Sequence, residues 1–233
     1  MNPPFLFLHG ALGCSAQFDQ LLQLLPPAWR VLTFDFPGHA GRPAVTPCSV
    51  PRFAESVIQF LDQEKIEQVQ IFGYSMGGYV ALHLAWKHPE RVQRIFTLGT
   101  KLDWTPATAA KETARLDPDK IAEKVPAFAQ LLAERHAPAD WQTVVRRTAE
   151  LLHRLGNGDA LGPQAFGAIA CPVLIGLGGE DNMVTPDESQ AVAALLPRGA
   201  FEMLPGIKHP FEQVEETQVA QWLIRAAKSL PHR

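Results

Sequence analysis

The stretch Ile71-Phe72-Gly73-Tyr74-Ser75-Met76-Gly77-Gly78 decides the fold, because it leads from an apolar strand pattern through Gly-x-Ser-x-Gly into a helical pattern. A sharp turn from strand to helix lifts the serine side chain above the end of a sheet, and only small residues fit two positions before and after it. Gly73 and Gly77 supply that space. The arrangement predicts that Ser75 is a nucleophile, and a glycine-rich turn without chemistry is the alternative from this pattern alone.

A second apolar strand, Phe5-Leu6-Phe7-Leu8, ends in a glycine-rich loop that begins with His9. Acyl transfer through a tetrahedral intermediate needs two N–H donors directed at the developing oxyanion, and one normally comes from the residue after the nucleophile. We assign these donors to the backbone amides of Ala11 and Met76. For His9 a structural role in shaping the loop is favoured over catalysis, and an ordinary strand-end turn is the alternative for the loop as a whole.

A carboxylate candidate follows the apolar strand Val173 to Leu177, in the segment Gly178-Gly179-Glu180-Asp181. A serine hydroxyl is a poor nucleophile until a base removes its proton and a carboxylate fixes the tautomer of that base. Loops at the carboxyl ends of strands carry the chemistry in open α/β sheets, so Asp181 is the predicted acid. Glu180 and Asp103, which follows an earlier strand, are the alternatives.

The base is predicted to be His209. Of eight histidines, it alone comes after a late strand, Phe201 to Leu204, and before the closing helix. The resulting chain order is serine, aspartate, histidine, which differs from the orders of the chymotrypsin and subtilisin lineages. The other histidines are interpreted as loop, packing, helix-end or tail residues.

Four motifs in this order resemble those of the α/β-hydrolase superfamily. They are His9-Gly10 with Gly13, Asp35-x-Pro37-Gly38-His39-x-Gly41, Gly73-Tyr74-Ser75-Met76-Gly77-Gly78, and Gly178-x-x-Asp181 followed by His209. The resemblance covers nearly the whole chain and implies the α/β-hydrolase fold with a Ser-Asp-His triad. Because this fold hosts many reactions, it does not by itself choose one of them.

Strands and helices are predicted to alternate, which favours a mostly parallel sheet flanked by helices. Members of the family usually begin with an antiparallel hairpin, whereas here the His-Gly strand comes first, so we expect a trimmed sheet of about six strands. The predicted strands are Phe5 to Leu8, Val31 to Phe34, Val69 to Phe72, Arg94 to Leu98, Val173 to Leu177 and Phe201 to Leu204. The predicted helices are Gln17 to Leu25, Arg52 to Gln63, Met76 to Lys87, Pro186 to Leu195 and Pro210 to Lys228.

The interval from about Thr100 to Gln164 interrupts this alternation and reads as helical and rich in alanine. In this position the family places a cap over the active site, so we expect residues 1–99 and 166–233 to form the core and residues 100–165 a helical cap insertion. Its apolar residues either shape a substrate pocket or attach the cap to the core. The pocket candidates, including two from the His-Gly loop, are His9, Leu12, Trp104, Phe128 and Trp141.

Composition narrows the classes of partner and compartment. The chain has 233 residues and a net charge of −3, with no stripe of basic and aromatic side chains, so no nucleic acid is expected as a partner. No apolar run reaches about 18 residues and no signal peptide is visible, so no membrane span or export is expected. The three cysteines have irregular spacing and predict neither disulfides nor a metal site, which favours the cytoplasm.

The resemblance and the predicted triad favour a serine hydrolase that cleaves a small carboxylic ester or thioester, with no metal or organic cofactor. Hydrolysis of a carbon–carbon bond, or lyase chemistry on the same fold, is the enzymatic alternative. The menaquinone-pathway lyase with a similar elbow tends to have an arginine where this chain has Tyr79, which argues against the lyase. A ligand receptor on a hydrolase scaffold is the alternative outside catalysis. The sequence does not indicate an oligomeric state.

Overall fold

The computed structural model describes residues 3–229 and contains one sheet of six parallel strands in the order β2-β1-β3-β4-β5-β6. The predicted α/β-hydrolase fold, with a mostly parallel sheet of about six strands, is confirmed. The strands are β1 (Phe5–Leu8), β2 (Val31–Phe34), β3 (Val69–Tyr74), β4 (Val92–Leu98), β5 (Val173–Glu180) and β6 (Gly199–Lys208).

The strand order reverses between β1 and β3, because β1 lies between β2 and β3. Ligands bind at such a switch point in open α/β sheets, beyond the carboxyl ends of the strands. Leu8 pairs with Gly73, and Gly73 pairs in turn with Thr97, so the ends of β1, β3 and β4 lie side by side. The loops that follow these three strands therefore meet at one edge of the sheet.

The helices flank the sheet and include a group of five between β4 and β5. They are α1 (Asp19–Gln23), α2 (Val50–Gln63), α3 (Met76–Lys87), α4 (Pro106–Thr113), α5 (Pro118–Lys124), α6 (Pro126–His136), α7 (Trp141–Arg154), α8 (Pro163–Gly167), α9 (Pro186–Leu195) and α10 (Glu216–Ser229). None of the helices formed by residues 3–229 is both long and apolar enough to cross a membrane.

Three predicted helices have different bounds in the structure, and one of them, α2, begins at Val50 rather than at Arg52. The first begins with a 3₁₀ turn at Ser15–Phe18, because the Asp35 carboxylate accepts hydrogen bonds from the Ser15 amide (2.6 Å) and hydroxyl (2.8 Å). The last begins at Glu216 rather than Pro210. A separate 3₁₀ turn intervenes there and packs the ring of Phe211 against Tyr74, with ring centroids 5.0 Å apart.

Apolar side chains cover both faces of the sheet. On one face, α2 and α3 pack against β1, β3 and β4 through Phe53 and Val80. On the other face, α10 contributes the fully buried Trp222, whose ring lies against Phe72 and Phe96. Burial of each such side chain contributes on the order of 1.5–3 kcal/mol to folding, so the two clusters fix the sheet on which the loops are mounted.

The helices between β4 and β5 form a third apolar cluster of their own. It contains Ile121, Leu132, Val144 and Val145 from α5, α6 and α7. Leu12, from the loop after β1, is part of the same cluster. The helical segment and the loop predicted to stabilise an oxyanion are therefore packed together.

Candidate active site

Ser75 occupies a strained turn between β3 and α3, with a φ angle of +50°. This conformation is costly for a residue with a side chain and is found where the surrounding structure enforces it. Here the residues two positions before and after Ser75 are glycines. A Cβ atom on Gly77 would lie 2.1 Å from the carbonyl oxygen of Leu8, and one on Gly73 would lie 2.5 Å from Gly78 Cα. The turn therefore forms only because both positions lack a side chain.

Strand pairing brings Asp181 and His209 together. Glu180 is the last residue of β5 and pairs with Lys208, the last residue of β6. The next residue of each strand is the predicted acid and the predicted base. His209 Nδ1 lies 2.8 Å from Asp181 Oδ2, and His209 Nε2 lies 3.3 Å from Ser75 Oγ. The three predicted side chains thus form one connected chain of hydrogen bonds.

The Asp181 carboxylate is buried, and its second oxygen is also satisfied. Oδ1 accepts hydrogen bonds from the backbone amides of Met183 (2.8 Å) and Val184 (3.0 Å), which hold the carboxylate in place. With Oδ2 accepting from His209 Nδ1, the histidine Nε2 is left free to accept the serine proton. Hydrogen bonds to both oxygens therefore hold the Asp181 carboxylate in its position against His209.

The two alternative acids lie elsewhere. Glu180 and Asp103 are both exposed, and the Asp103 amide donates a hydrogen bond of 2.9 Å to Glu188. His209 makes its carboxylate contact with Asp181. The geometry therefore favours Asp181 among the three candidates.

A further residue, Tyr74, holds the backbone of the predicted base and was not identified from the sequence. Its hydroxyl donates a hydrogen bond to the backbone carbonyl of His209. Burial raises the pKa of Tyr74, so its hydroxyl stays protonated and can act as this donor. The sequence signal for this role is its position immediately before Ser75.

The two predicted oxyanion donors flank Ser75. Met76 begins α3, where the first N–H groups of a helix have no acceptor within the helix. Ala11 lines the same cavity as Ser75. The adjacent Leu12 has a φ angle of +58°, and its carbonyl accepts hydrogen bonds from Arg135 Nη1 (2.8 Å) and His136 Nε2 (3.2 Å) of α6. Helix α6 thereby holds the loop in position.

His9 lies beneath this loop and is fully buried. Its Nδ1 lies 2.8 Å from the Gly10 carbonyl, and its Nε2 accepts a hydrogen bond of 3.1 Å from the Phe36 amide. Burial lowers the pKa of His9 to about 3, so its ring is neutral. The structure places His9 outside the cavities at Ser75 and gives it the loop-shaping position that the sequence favoured.

Two cavities share Ser75 and His209 as lining residues. The outer one has a volume of about 580 Å³ and is lined by Leu12 and Phe128, among other residues. The inner one, of about 70 Å³, is lined by Trp104. Trp141 does not line either cavity, because its ring packs on the third apolar cluster. Three of the five predicted pocket residues therefore lie at the site.

Met183 and Glu112 carry no recognisable sequence signal for the cavity, whereas Leu152 belongs to the apolar residues of the predicted cap. Met183, Leu152 and Glu112 line both cavities, together with the predicted residues Ala11, Ser75 and His209. Glu112 lies in an alanine-rich helix that resembles an exposed one in sequence. Within residues 3–229, no group of three or more His, Cys, Asp or Glu side chains is arranged to hold a metal ion.

Two curated proteins with similar sequences are named as ester hydrolases. The chain is 29% identical over 199 residues to a pimeloyl-[acyl-carrier protein] methyl ester esterase of Neisseria meningitidis, covering 77% of this chain and 75% of that protein. It is 26% identical to the sn-1-specific diacylglycerol lipase ABHD11 of Mus musculus, covering 89% of this chain and 75% of that one.

The fold is shared with solved structures. A thermophilic esterase from Thermogutta terrifontis superposes with a TM-score of 0.79 at 17% sequence identity, covering 99% of this chain and 91% of that one. Residues 3–155 match the family described as alpha/beta hydrolase fold. The chain therefore belongs to the α/β-hydrolase family.

Proposed function

We propose that the protein hydrolyses small carboxylic esters or thioesters through an acyl-enzyme intermediate on Ser75. The observation that carries this proposal is the continuous hydrogen-bonded chain from Ser75 through His209 to Asp181, situated at the switch point of the sheet. The protein is a carboxylic ester hydrolase by class, as its relatives are. The residue roles below follow from the geometry.

The reaction begins when His209 Nε2 accepts the proton of Ser75 as Oγ attacks the ester carbonyl. The amides of Ala11 and Met76 stabilise the oxyanion of the tetrahedral intermediate. His209 then donates its proton to the leaving alkoxide or thiolate, which leaves the acyl group bound to Ser75. In the second half His209 activates water, and hydrolysis of the acyl-enzyme regenerates the serine.

The cavity walls favour a small substrate with an apolar portion. The proposed cap, residues 100–165, contributes Phe128 of α6 to the outer cavity and Trp104, from the segment before α4, to the inner one. The outer cavity is in the size range of small-molecule sites, whereas the inner one has room for only a few non-hydrogen atoms. One part of the ester is therefore expected to be short.

Tyr79 bears on the choice of reaction. It lies at the position where the related lyase tends to have an arginine, and its hydroxyl accepts a hydrogen bond of 2.8 Å from the Leu161 amide. Burial raises the pKa of Tyr79 to about 12, so the residue is neutral and provides no cation for an acidic substrate. This favours ester hydrolysis over the lyase reaction.

The cytoplasm is the compartment we propose. Cys14 and Cys48 are buried free thiols, which suits a reducing environment. Fractionation of the source cells with an antibody to the protein tests this assignment. Recovery in a secreted or surface fraction contradicts it.

The first experiment is hydrolysis of p-nitrophenyl esters, from acetate to decanoate, by the wild type and by Ser75→Ala. We expect Ser75→Ala to lower kcat by about 10⁴-fold or more, since little besides the oxyanion hole and binding then remains. Ser56→Ala, which changes a half-buried serine on α2 that does not line the cavities, is the matched control and should retain full activity. The preferred chain length reports the depth of the pocket.

Two results contradict the proposal. Equal turnover by Ser75→Ala and wild type would show that Ser75 is not the nucleophile. Absence of turnover in both proteins, with every ester, would favour carbon–carbon bond chemistry, a lyase or a ligand receptor.

A further inference from the structure

A buried glutamate in the cavity has no part in the triad. Glu112 lies near the end of α4, and its side chain is only 3% exposed. It lines both the outer and the inner cavity, which also share Ser75 and His209. A substrate held at Ser75 that extends into either cavity therefore lies close to this carboxylate.

The Glu112 carboxylate is incompletely satisfied. Its Oε2 is buried and forms no hydrogen bond with any residue in the range 3–229. The nearby cation is Arg115, whose Nη1 lies 3.7 Å from Oε2, beyond hydrogen-bond distance, and whose side chain is 51% exposed. A long contact to a half-exposed arginine is weak compensation for a buried carboxylate.

Glu188 is a second buried glutamate, and both of its carboxylate oxygens accept hydrogen bonds. Glu188 accepts hydrogen bonds from the amides of Asp103 (2.9 Å), Leu102 (3.2 Å) and Thr185 (2.7 Å) and forms an ion pair with Lys101. Those contacts fix the chain after β4 against α9, which is a structural role. Glu112 makes no comparable set of contacts.

The walls around Glu112 are mostly apolar. Leu152 and Met183 line both cavities with it, and Leu116 and Phe128 line the outer one. A polar group buried in such surroundings without a partner destabilises the folded state, whereas an apolar residue of similar size would not. Contacts with other residues therefore do not explain why a carboxylate occupies this position. A ligand with a hydrogen-bond donor would explain it, because the donor would pair with Glu112 Oε2.

We propose that Glu112 recognises the substrate by accepting a hydrogen bond from an O–H or N–H group on the ester. The preferred substrates are then esters that carry a hydroxyl or ammonium group on the chain that extends into the cavities. This inference rests on the proposed function, since it assigns the substrate class of the same site. Glu112 is a specificity residue and takes no part in proton transfer.

The test uses methyl esters from pentanoate to nonanoate, each in three forms that end in a methyl, a hydroxyl or an ammonium group. Wild type, Glu112→Gln and Glu112→Leu are compared by kcat/KM, with Glu123→Gln as a control that removes an exposed carboxylate of the same segment. Binding of the same esters is measured by calorimetry on Ser75→Ala and on Ser75→Ala with Glu112→Leu. The binding arm requires no turnover.

At one or more chain lengths, we expect the wild type to prefer the donor-bearing ester over its methyl-ended counterpart by at least about 10-fold, because an unpaired buried acceptor penalises the apolar analogue. Glu112→Leu should abolish that preference in turnover and in binding. Glu112→Gln should keep the preference for hydroxyl, since its amide oxygen still accepts, and lose the preference for ammonium. The melting temperature of Glu112→Leu should equal or exceed that of the wild type.

Other outcomes overturn the inference. It fails if the donor-bearing esters have no advantage at any chain length in turnover or binding. It also fails if Glu112→Leu lowers the melting temperature and leaves selectivity unchanged, because Glu112 is then structural. A third outcome separates the two proposals. If the wild type hydrolyses none of the esters but the Ser75→Ala proteins still bind the donor-bearing esters more tightly, the hydrolase function is refuted and the recognition site is supported.

Discussion

Asp181 Oδ2 lies 2.8 Å from His209 Nδ1, and in the proposed mechanism this contact orients the base. A neutral isostere should therefore remove most of the activity. In Asp181→Asn the amide can present an N–H to His209 Nδ1, which favours the histidine tautomer that cannot accept the serine proton. We expect kcat to fall by about 10⁴-fold with little change in KM. Steady-state kinetics on the preferred p-nitrophenyl ester measure the effect.

Glu180→Gln is the matched control for that substitution. It makes the same chemical change one residue earlier, on a side chain that is exposed. Activity near that of the wild type is expected. A larger loss in Glu180→Gln than in Asp181→Asn would assign the acid to Glu180.

His9 should make the protein less stable in mild acid. Burial lowers its pKa in the folded state to about 3 from an ordinary value of 6.5, so the unfolded chain binds a proton more readily than the folded one. The stability contributed by the neutral ring is fully present above pH 6.5 and falls as the pH decreases toward 3. Between about pH 7.5 and about pH 5.5, the loss from His9 is on the order of 1 kcal/mol.

Urea unfolding at a series of pH values measures this loss in the wild type and in His9→Asn. The asparagine can donate and accept hydrogen bonds but does not titrate in this range. We expect a flatter dependence of unfolding free energy on pH in the variant. If the unfolding free energy depends on pH equally in the two proteins, a group other than His9 is responsible for the loss of stability in acid.

At the scale of elements, α6 supports the loop that carries Ala11, one of the two proposed oxyanion donors. Arg135 donates to the Leu12 carbonyl from a side chain that is mostly buried, and also pairs with Glu212. Arg135→Met keeps the aliphatic packing but removes the donor. Because a small displacement of an oxyanion donor weakens its hydrogen bond, kcat should fall by about 10-fold or more, with KM changed less.

The control for that variant is Arg146→Met on α7, which removes an exposed arginine bonded to Gln142. It should retain wild-type kinetics. Equal kcat values for Arg135→Met and the wild type would mean that His136, which also contacts Leu12, is sufficient to hold the loop.

Helix α3 packs so closely against the end of β1 that Gly77 cannot be replaced by a residue with a side chain. An added Cβ there would meet the Leu8 carbonyl at 2.1 Å, a backbone atom that cannot rotate away. Gly77→Ala should therefore destabilise the protein by about 3 kcal/mol or more and reduce expression. Gly162→Ala provides a comparison, because a Cβ there meets no heavy atom within 4 Å. Similar melting temperatures for the two variants would contradict this account.

At the scale of the whole molecule, the proposed cap and the core should unfold together. Leu151, Leu155 and Leu161, from the segment between β4 and β5, belong to the same apolar cluster as strand residues such as Ile71 and Ile95. Shared apolar burial couples the two parts, so we expect one cooperative transition. Calorimetry, far-ultraviolet circular dichroism and tryptophan fluorescence should give the same midpoint.

A double variant separates the fluorescence of the two parts. Trp104→Phe with Trp141→Phe removes the tryptophans of residues 100–165 and leaves those elsewhere in the chain. The wild type and this variant should report transitions of the same width. A second transition at lower temperature, present only in the wild type signal, would mean that the cap unfolds separately.

The sequence by itself determined the sheet, the elbow and the candidates for the triad, because each of these has a local signal. Apolar runs mark the strands, and the glycines around Ser75 mark a turn that other residues cannot form. Asp181 and His209 were predicted from their places after two strands, although choosing Asp181 over Glu180 and Asp103 needed distances between side chains.

Only the tertiary structure decided which side chains of residues 100–165 reach the cavity. Hydrophobic periodicity shows that a helix face is buried but does not show what covers it, so Trp141 and Phe128 have equivalent signals although Phe128 alone of the two lines a cavity. Glu112 has the sequence surroundings of an exposed residue. It becomes buried because α4 lies at the carboxyl ends of the strands, and that placement depends on contacts between residues distant in the chain.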